Sequence, residues 1–170
     1  MSSPNKDTEI IRAIILDHYE NPKHHLPNDE NSSKLKGYVE CNISSASCID
    51  NLTAYIKVAN NNIKDIKFSG VGCAISTSST DIMCNLLINK SINEAKKIIT
   101  NYLNMIDKKP YNEELLGELY SYENVNRQVN RINCAKIGIN AILKALEKYE
   151  DKKGTYVGAF ALSVADGGGS

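Results

Sequence analysis

The chain has 170 residues, 42% hydrophobic and 24% charged, with Lys+Arg and Asp+Glu both numbering 20 and a formal net charge of zero. That length suits one domain with a sizeable core, and the composition is ordinary for a soluble globular protein. A balanced charge with no basic stripe excludes nucleic acid as the expected partner, and no apolar run approaches the roughly 20 residues of a membrane span. Met1–Glu9 is polar and the apolar residues after it are periodic, so no signal peptide is expected and the predicted location is the cytoplasm. Five cysteines is an odd count for a secreted disulfide framework. In a reducing compartment clustered thiols more often bind metal or do chemistry.

In chain order, Thr8 is placed to cap a first helix over about Glu9–Tyr19, with Ile10, Ile11, Ile14, Ile15 and His18 on one stripe and Pro22 ending it. Asn21–Lys34, rich in Asn, Pro and Ser, reads as loop. Three strands follow. Val39, Cys41 and Ile43 share a face of the first; Leu52, Ala54, Ile56 and Val58 alternate with Thr53, Tyr55 and Lys57 in the second; the third spans about Ile63–Ser69. Asn60-Asn61-Asn62 is a plausible hairpin turn, since Asn tolerates the left-handed conformation. Short connections make the three an antiparallel meander. After Cys73 the period turns helical over about Ala74–Ile88. Ser91-Ile92-Asn93-Glu94 fits a capping box opening a further helix that carries Ile92, Ala95, Ile98, Ile99, Tyr102 and Ile106. A short helix is expected around Glu113–Tyr120 and a last one over about Asn133–Tyr149. The fold class is therefore α+β, a three-stranded antiparallel sheet against four to five helices. Residues 1–150 form the domain. Asp151–Ser170 has no clean period, ends in a linker-like Gly-Gly-Gly-Ser, and is expected to be a flexible tail.

Three cysteines and an aspartate carry the chemistry. Cys48 and Asp50 are two apart in the polar stretch Ser44–Asn51, Cys73 follows the turn Gly70-Val71-Gly72, and Cys134 opens an apolar run. Each stands at a junction between predicted elements, where side chains converge. Three thiolates and a carboxylate suit tetrahedral zinc, and the same thiolates suit iron in an iron–sulfur cluster. The carboxylate is the harder partner for a soft metal and so the ligand most readily exchanged. Cys73 and Cys134 are each expected just before a helix, whose positive end favours thiolate. Arg131, three residues before Cys134, is placed to stabilise anionic sulfur. No CxxC pair sharpens the reading, and a lone buried cysteine is commonly a small hydrophobe.

The ordered motifs resemble the U-type iron–sulfur cluster assembly family, which comprises SufU, IscU and the NifU N-terminal proteins. They are Leu16-Asp17-His18-Tyr19-Glu20-Asn21-Pro22, Ser47-Cys48-Ile49-Asp50, Ile66-Lys67-Phe68-Ser69-Gly70-Val71-Gly72-Cys73-Ala74-Ile75-Ser76 and Arg131-Ile132-Asn133-Cys134-Ala135. The resemblance covers roughly Ile10–Tyr149. IscU-type proteins carry a histidine directly before the last cysteine, where this chain has Asn133, and the long interval from Cys73 to Cys134 looks like the SufU insertion. The SufU resemblance implies zinc on Cys48, Asp50, Cys73 and Cys134, persulfide delivered by a SufS-like cysteine desulfurase, and Cys48 as its acceptor. Recipient scaffolds or apo iron–sulfur proteins would follow, so the chain is expected to be a sulfur acceptor or scaffold rather than a free-standing enzyme. It departs from the family where Ser45-Ala46 replaces Asn-Pro and Ile49 replaces the glycine of Cys-Gly-Asp. A β-branched residue resists conformations that glycine permits, so the loop carrying Cys48 is expected to be set differently.

Other residues take structural readings. Cys41 and Cys84 read as core, His18 as a satisfied structural histidine, and His24 and His25 as solvated, with a desulfurase contact as their functional alternative. Alternatives for the whole chain are a scaffold that assembles a cluster on the same four residues, a cysteine-nucleophile enzyme pairing Cys48 or Cys73 with a histidine, and a structural zinc module.

Overall fold

The period-2 run of Leu52, Ala54 and Ile56 is realised as the central strand of the sheet. In the computed structural model, which describes residues 4–26, 35–44 and 49–165, strands β1 (Val39–Ser44), β2 (Asn51–Ala59) and β3 (Asn62–Val71) lie in the order β1-β2-β3, each pair antiparallel. Val39 pairs with Ile56 and Ser44 with Asn51; on the other side Ile56 pairs with Ile66 and Ala54 with Phe68. Leu52, Ala54, Ile56, Ile63, Ile66 and Phe68 are all at most 1% exposed and form one wall of the core, each large side chain contributing about 1.5–3 kcal/mol of burial. Asn60 and Asn61 both adopt positive φ, 54° and 64°, as the predicted hairpin requires.

Helices α1 (Pro4–Glu20), α2 (Ala74–Leu87), α3 (Ile92–Ile106) and α4 (Val129–Ala165) complete the core, with 3-10 segments at Glu113–Leu115 and Gly117–Arg127. Among the described residues this is the expected α+β fold. α4 packs across β1 and β2 and against α2 and α3, while α1 lies on α2. Ser91 caps α3 as the capping box predicts: its Oγ accepts from the Glu94 N–H at 3.2 Å. No described helix is long and apolar enough to cross a membrane.

Three boundaries differ from the sequence reading. α1 begins at Pro4, not after Thr8; proline at the first helical position loses no hydrogen bond there. The 3-10 segments extend the predicted helix at 113–120 to Arg127, because Leu116, Leu119, Tyr122 and Val125 are buried at threefold spacing. α4 starts at Val129 rather than Asn133 and continues past the Asp151 boundary to Ala165.

α2 is unusual in its burial. Ser76, Thr77, Ser78, Ser79, Thr80 and Asp81 are all buried, six polar residues in succession. Hydroxyls bonding back to carbonyls one turn earlier satisfy most of them: Ser78 to Ala74 at 2.6 Å and Thr80 to Ser76 at 2.6 Å. Small side chains let α2 and α4 approach closely. At Gly138 of α4 an added Cβ would lie 1.7 Å from Thr80 Oγ1. This contact sits one turn after Cys134 and fixes the distance between the two helices near the candidate site.

Candidate metal centre

Three elements deliver one group each to a common point. Asp50 immediately precedes β2, Cys73 is the N-cap of α2, and Cys134 lies in the second turn of α4. Their ligand atoms all lie within 4.8 Å of one another. A tetrahedral zinc with bonds of about 2.0–2.3 Å would draw such donors to within about 3.5–4 Å, a small inward adjustment.

Gly70 sets up the approach of β3 to Asp50. Its φ is +110°, and a Cβ there would fall 2.1 Å from the Asn51 carbonyl oxygen, so only glycine fits. The chain then turns so that the Cys73 N–H donates to Asp50 Oδ1 at 3.0 Å. Asp50 is 2% exposed, and its Oδ2 has no hydrogen-bond partner among the described residues. A buried carboxylate oxygen left unpaired is costly. With two cysteine sulfurs alongside, it is the arrangement a cation would satisfy, so the residues fit a zinc ion.

Charge in the cluster acts on Cys134. Burial pushes its thiol well above the usual range, and the neighbouring Cys73 and Asp50 push the same way. The thiol also donates to the Asn130 carbonyl at 3.8 Å. Without a cation the cluster therefore keeps a proton on Cys134, and a cation would displace it.

An open cavity of ≈ 570 Å³ exposes the cluster to solvent, lined by Ile49, Asp50, Cys73, Val129, Asn130, Arg131, Asn133 and Cys134. Arg131 shares this wall and is exposed. Ile49 and Val129 are 83% and 81% exposed and form an apolar rim. Cys48, the fourth predicted ligand, lies outside the described residues.

One expectation about the ligands is corrected. Cys73 stands at a helix N-terminus, but Cys134 is within α4, whose first turn 129–133 is exposed or half-buried and carries no apolar stripe to announce it. His24 and His25 are also corrected: they are docked rather than solvated. The His24 N–H and carbonyl bond Asp81 Oδ1 (2.9 Å) and the Phe68 N–H (2.9 Å), and its Nε2 meets Asn85. His25 Nε2 donates to the Gly70 carbonyl at 3.1 Å while its ring meets Phe68 edge-on. His18 is the satisfied histidine expected, with Nδ1 2.7 Å from Asp81 and Nε2 3.2 Å from Glu118. Cys84 is fully buried, its thiol pushed up by burial, and Cys41 packs half-buried against the core. The sequence reading missed Ser76, whose N–H and hydroxyl approach Cys73 Sγ; the Cys-x-x-Ser spacing at a helix start is the signal that marks it.

Two cysteines and an aspartate gathered beside an α+β sheet-and-helix layer define a metal-competent domain. Residues 11–156 match the sequence profile of the NifU-like N terminal domain, and the chain belongs to that family. It is 29% identical over 147 residues to the zinc-dependent sulfurtransferase SufU of Bacillus subtilis strain 168, covering 86% of this chain and 95% of that protein. Its identity to the iron–sulfur cluster assembly scaffold protein IscU of Streptococcus pyogenes serotype M1 is also 29%, over 146 residues, 85% of this chain and 87% of that one. Among solved structures, the SufU from Fervidobacterium islandicum AW-1 superposes with a TM-score of 0.68 at 29% identity, covering 78% of this chain and 93% of that chain. The N-terminal NifU-like protein from Brucella abortus has a TM-score of 0.67 over 86% of this chain and 99% of its own; at 17% identity it supports the fold alone.

Proposed function

We propose that this protein acts in iron–sulfur cluster biogenesis, binding zinc through Cys48, Asp50, Cys73 and Cys134 and accepting persulfide sulfur from a SufS-like cysteine desulfurase on Cys48. The observation that carries the reading is the buried Asp50, its Oδ2 without a hydrogen-bond partner among the described residues, in a cluster where a carboxylate oxygen and the sulfurs of Cys73 and Cys134 lie within 4.8 Å of one another. The SufU relative, named a zinc-dependent sulfurtransferase, supports zinc and sulfur transfer as the chemistry. When bound, zinc would hold the cysteines as thiolates at neutral pH.

In the transfer step the Cys48 thiolate attacks the terminal sulfur of the desulfurase persulfide. The donor's sulfur–sulfur bond breaks, its cysteine leaves as thiolate, and a new sulfur–sulfur bond forms on Cys48. No net oxidation occurs. Arg131, on the cavity wall, supplies a positive charge toward the anionic sulfur. The products pass to recipient scaffolds or apo iron–sulfur proteins in the cytoplasm, where thiols remain reduced.

The test is desulfurase turnover with and without the protein. Wild type, purified with about one zinc per chain, is expected to raise turnover and to yield a peptide carrying an extra sulfur on Cys48. A Cys48→Ala variant that stimulated the enzyme equally would end the acceptor role. The IscU relative favours a second reading, a scaffold that assembles the cluster on the same residues. Anaerobic reconstitution with iron and sulfide separates the two: a stable chromophore that transfers to an apo-protein supports the scaffold, and a zinc site that resists iron supports the acceptor. The engagement of His18 with Asp81 and Glu118, His24 with Asn85 and His25 with Gly70 leaves the cysteine-nucleophile alternative without support.

A further inference from the structure

Ser76, which the metal-centre reading does not use, is fully buried behind Cys73. Its backbone N–H donates to Cys73 Sγ at 3.5 Å. Its hydroxyl lies 3.6 Å from the same sulfur and 3.1 Å from the Cys73 carbonyl oxygen. One hydroxyl proton thus faces two acceptors. Against a neutral thiol the carbonyl is the stronger acceptor, but a sulfur carrying negative charge competes for the proton, because hydrogen bonds to charged acceptors are about twice as strong. Gly72 leaves room for this arrangement: a Cβ there would fall 2.5 Å from Ser76 Oγ. Cys134 is treated differently, since its recorded bond to Asn130 has the thiol as donor.

Two donors on one thiolate withdraw electron density from its lone pairs. Such a sulfur still ligates a cation but attacks electrophiles poorly. We propose that Ser76 is a positioning residue that holds Cys73 as the anchored, least nucleophilic thiolate of the centre, so that incoming sulfur is directed to another thiol of the set. The inference rests on the zinc-centre reading. It assigns the division of labour among the cysteines to the hydroxyl and N–H of one buried side chain and its backbone, rather than to differences in exposure alone.

The test compares wild type with Ser76→Ala in two measurements. In the cobalt-substituted protein, removing the hydroxyl should move the sulfur-to-metal charge-transfer bands to longer wavelength. In the zinc-loaded protein, iodoacetamide should modify Cys73, followed by peptide mapping, about tenfold faster, the change expected for losing one hydrogen bond to a charged acceptor. Ser76→Thr should restore both readouts, and its isosteric partner Ser76→Val should not, which keeps the comparison if the alanine variant folds poorly. Unchanged bands and unchanged alkylation in a wild type and variant that both bind one metal would overturn the role of Ser76 while leaving the centre intact. Failure of wild type to bind cobalt or zinc would instead overturn the centre, and the role of Ser76 with it.

Discussion

Asp50 Oδ1 is tied to the Cys73 amide at 3.0 Å, while Oδ2 is buried and unpaired among the described residues. The two oxygens are therefore placed differently: one fixes the loop before β2 to the start of α2, and the other is left free for a cation. Substitutions can part these roles. Asp50→Asn keeps an acceptor for the Cys73 N–H but loses the charge, so the fold should persist while zinc affinity falls by at least about 100-fold, the upper end for disturbing a metal ligand's surroundings. Asp50→Ala removes the acceptor as well and should lose a further ~1–3 kcal/mol of stability from the orphaned buried amide. Competition with a chromophoric chelator and urea unfolding would check both, and an Asp50→Asn variant that kept wild-type zinc affinity would remove Asp50 from the ligand set. Ile49, beside it, shows why the residue scale resists a purely motif-based reading. Where the Cys-Gly-Asp motif that this segment resembles would place glycine, this chain presents an aliphatic side chain 83% exposed at the cavity mouth.

At the scale of elements, the meeting of Cys73 with Cys134 depends on how closely α2 and α4 pack. Gly138 and Thr80 set that distance, since a Cβ on residue 138 would overlap the threonine hydroxyl at 1.7 Å. Gly138→Ala should therefore cost about 1–3 kcal/mol through overpacking and, by forcing α4 away one turn beyond Cys134, weaken metal binding too. Urea midpoints and cobalt titration together would test it; unchanged values in both would show that helix spacing does not govern the site. The elements themselves were largely legible. The alternation of Leu52, Ala54 and Ile56 marks β2, the asparagines at 60 and 61 mark its hairpin, and Ser91 with Glu94 marks the start of α3. What escaped had no local signal. The first turn of α4 faces solvent or the cavity and has no apolar period, so Cys134 read as a helix start rather than an interior position. The partners of His24 and His25 (Asp81, Asn85, Phe68 and Gly70) are 43 to 61 residues away, contacts that no window of sequence reveals. For the site, the junctions of Asp50 and Cys73 pointed to convergence, while the buried Ser76 behind the sulfur required the helix cap itself to be seen.

For the molecule as a whole, the question is whether the metal holds the fold or the fold holds the metal. The core is continuous without the ligands: β2 and β3 supply one wall, and Ile99, Tyr102, Leu119, Tyr122, Ile142 and Leu146 close the other, all fully buried. Buried hydrogen bonds lock these layers together, Tyr102 to the Ala135 carbonyl at 2.8 Å and Tyr122 to Ser78 Oγ at 2.6 Å. A structural zinc module of small size folds only when loaded, because too little apolar surface is buried otherwise. This chain is not so limited. Stripping the metal with a chelator should leave the far-ultraviolet circular dichroism and a cooperative thermal transition in place. Restoring zinc to about 100 times its dissociation constant should add ~2.7 kcal/mol by mass action, a rise of roughly 5–11 °C in Tm for a domain of this size. Loss of the cooperative transition on chelation would place the protein among structural zinc modules. A retained fold with a zinc-dependent rise would instead mean that the centre is carried by a prebuilt scaffold. Its ligands could then change partners without unfolding the chain, because Asp50, Cys73 and Cys134 are each positioned by backbone and helix packing.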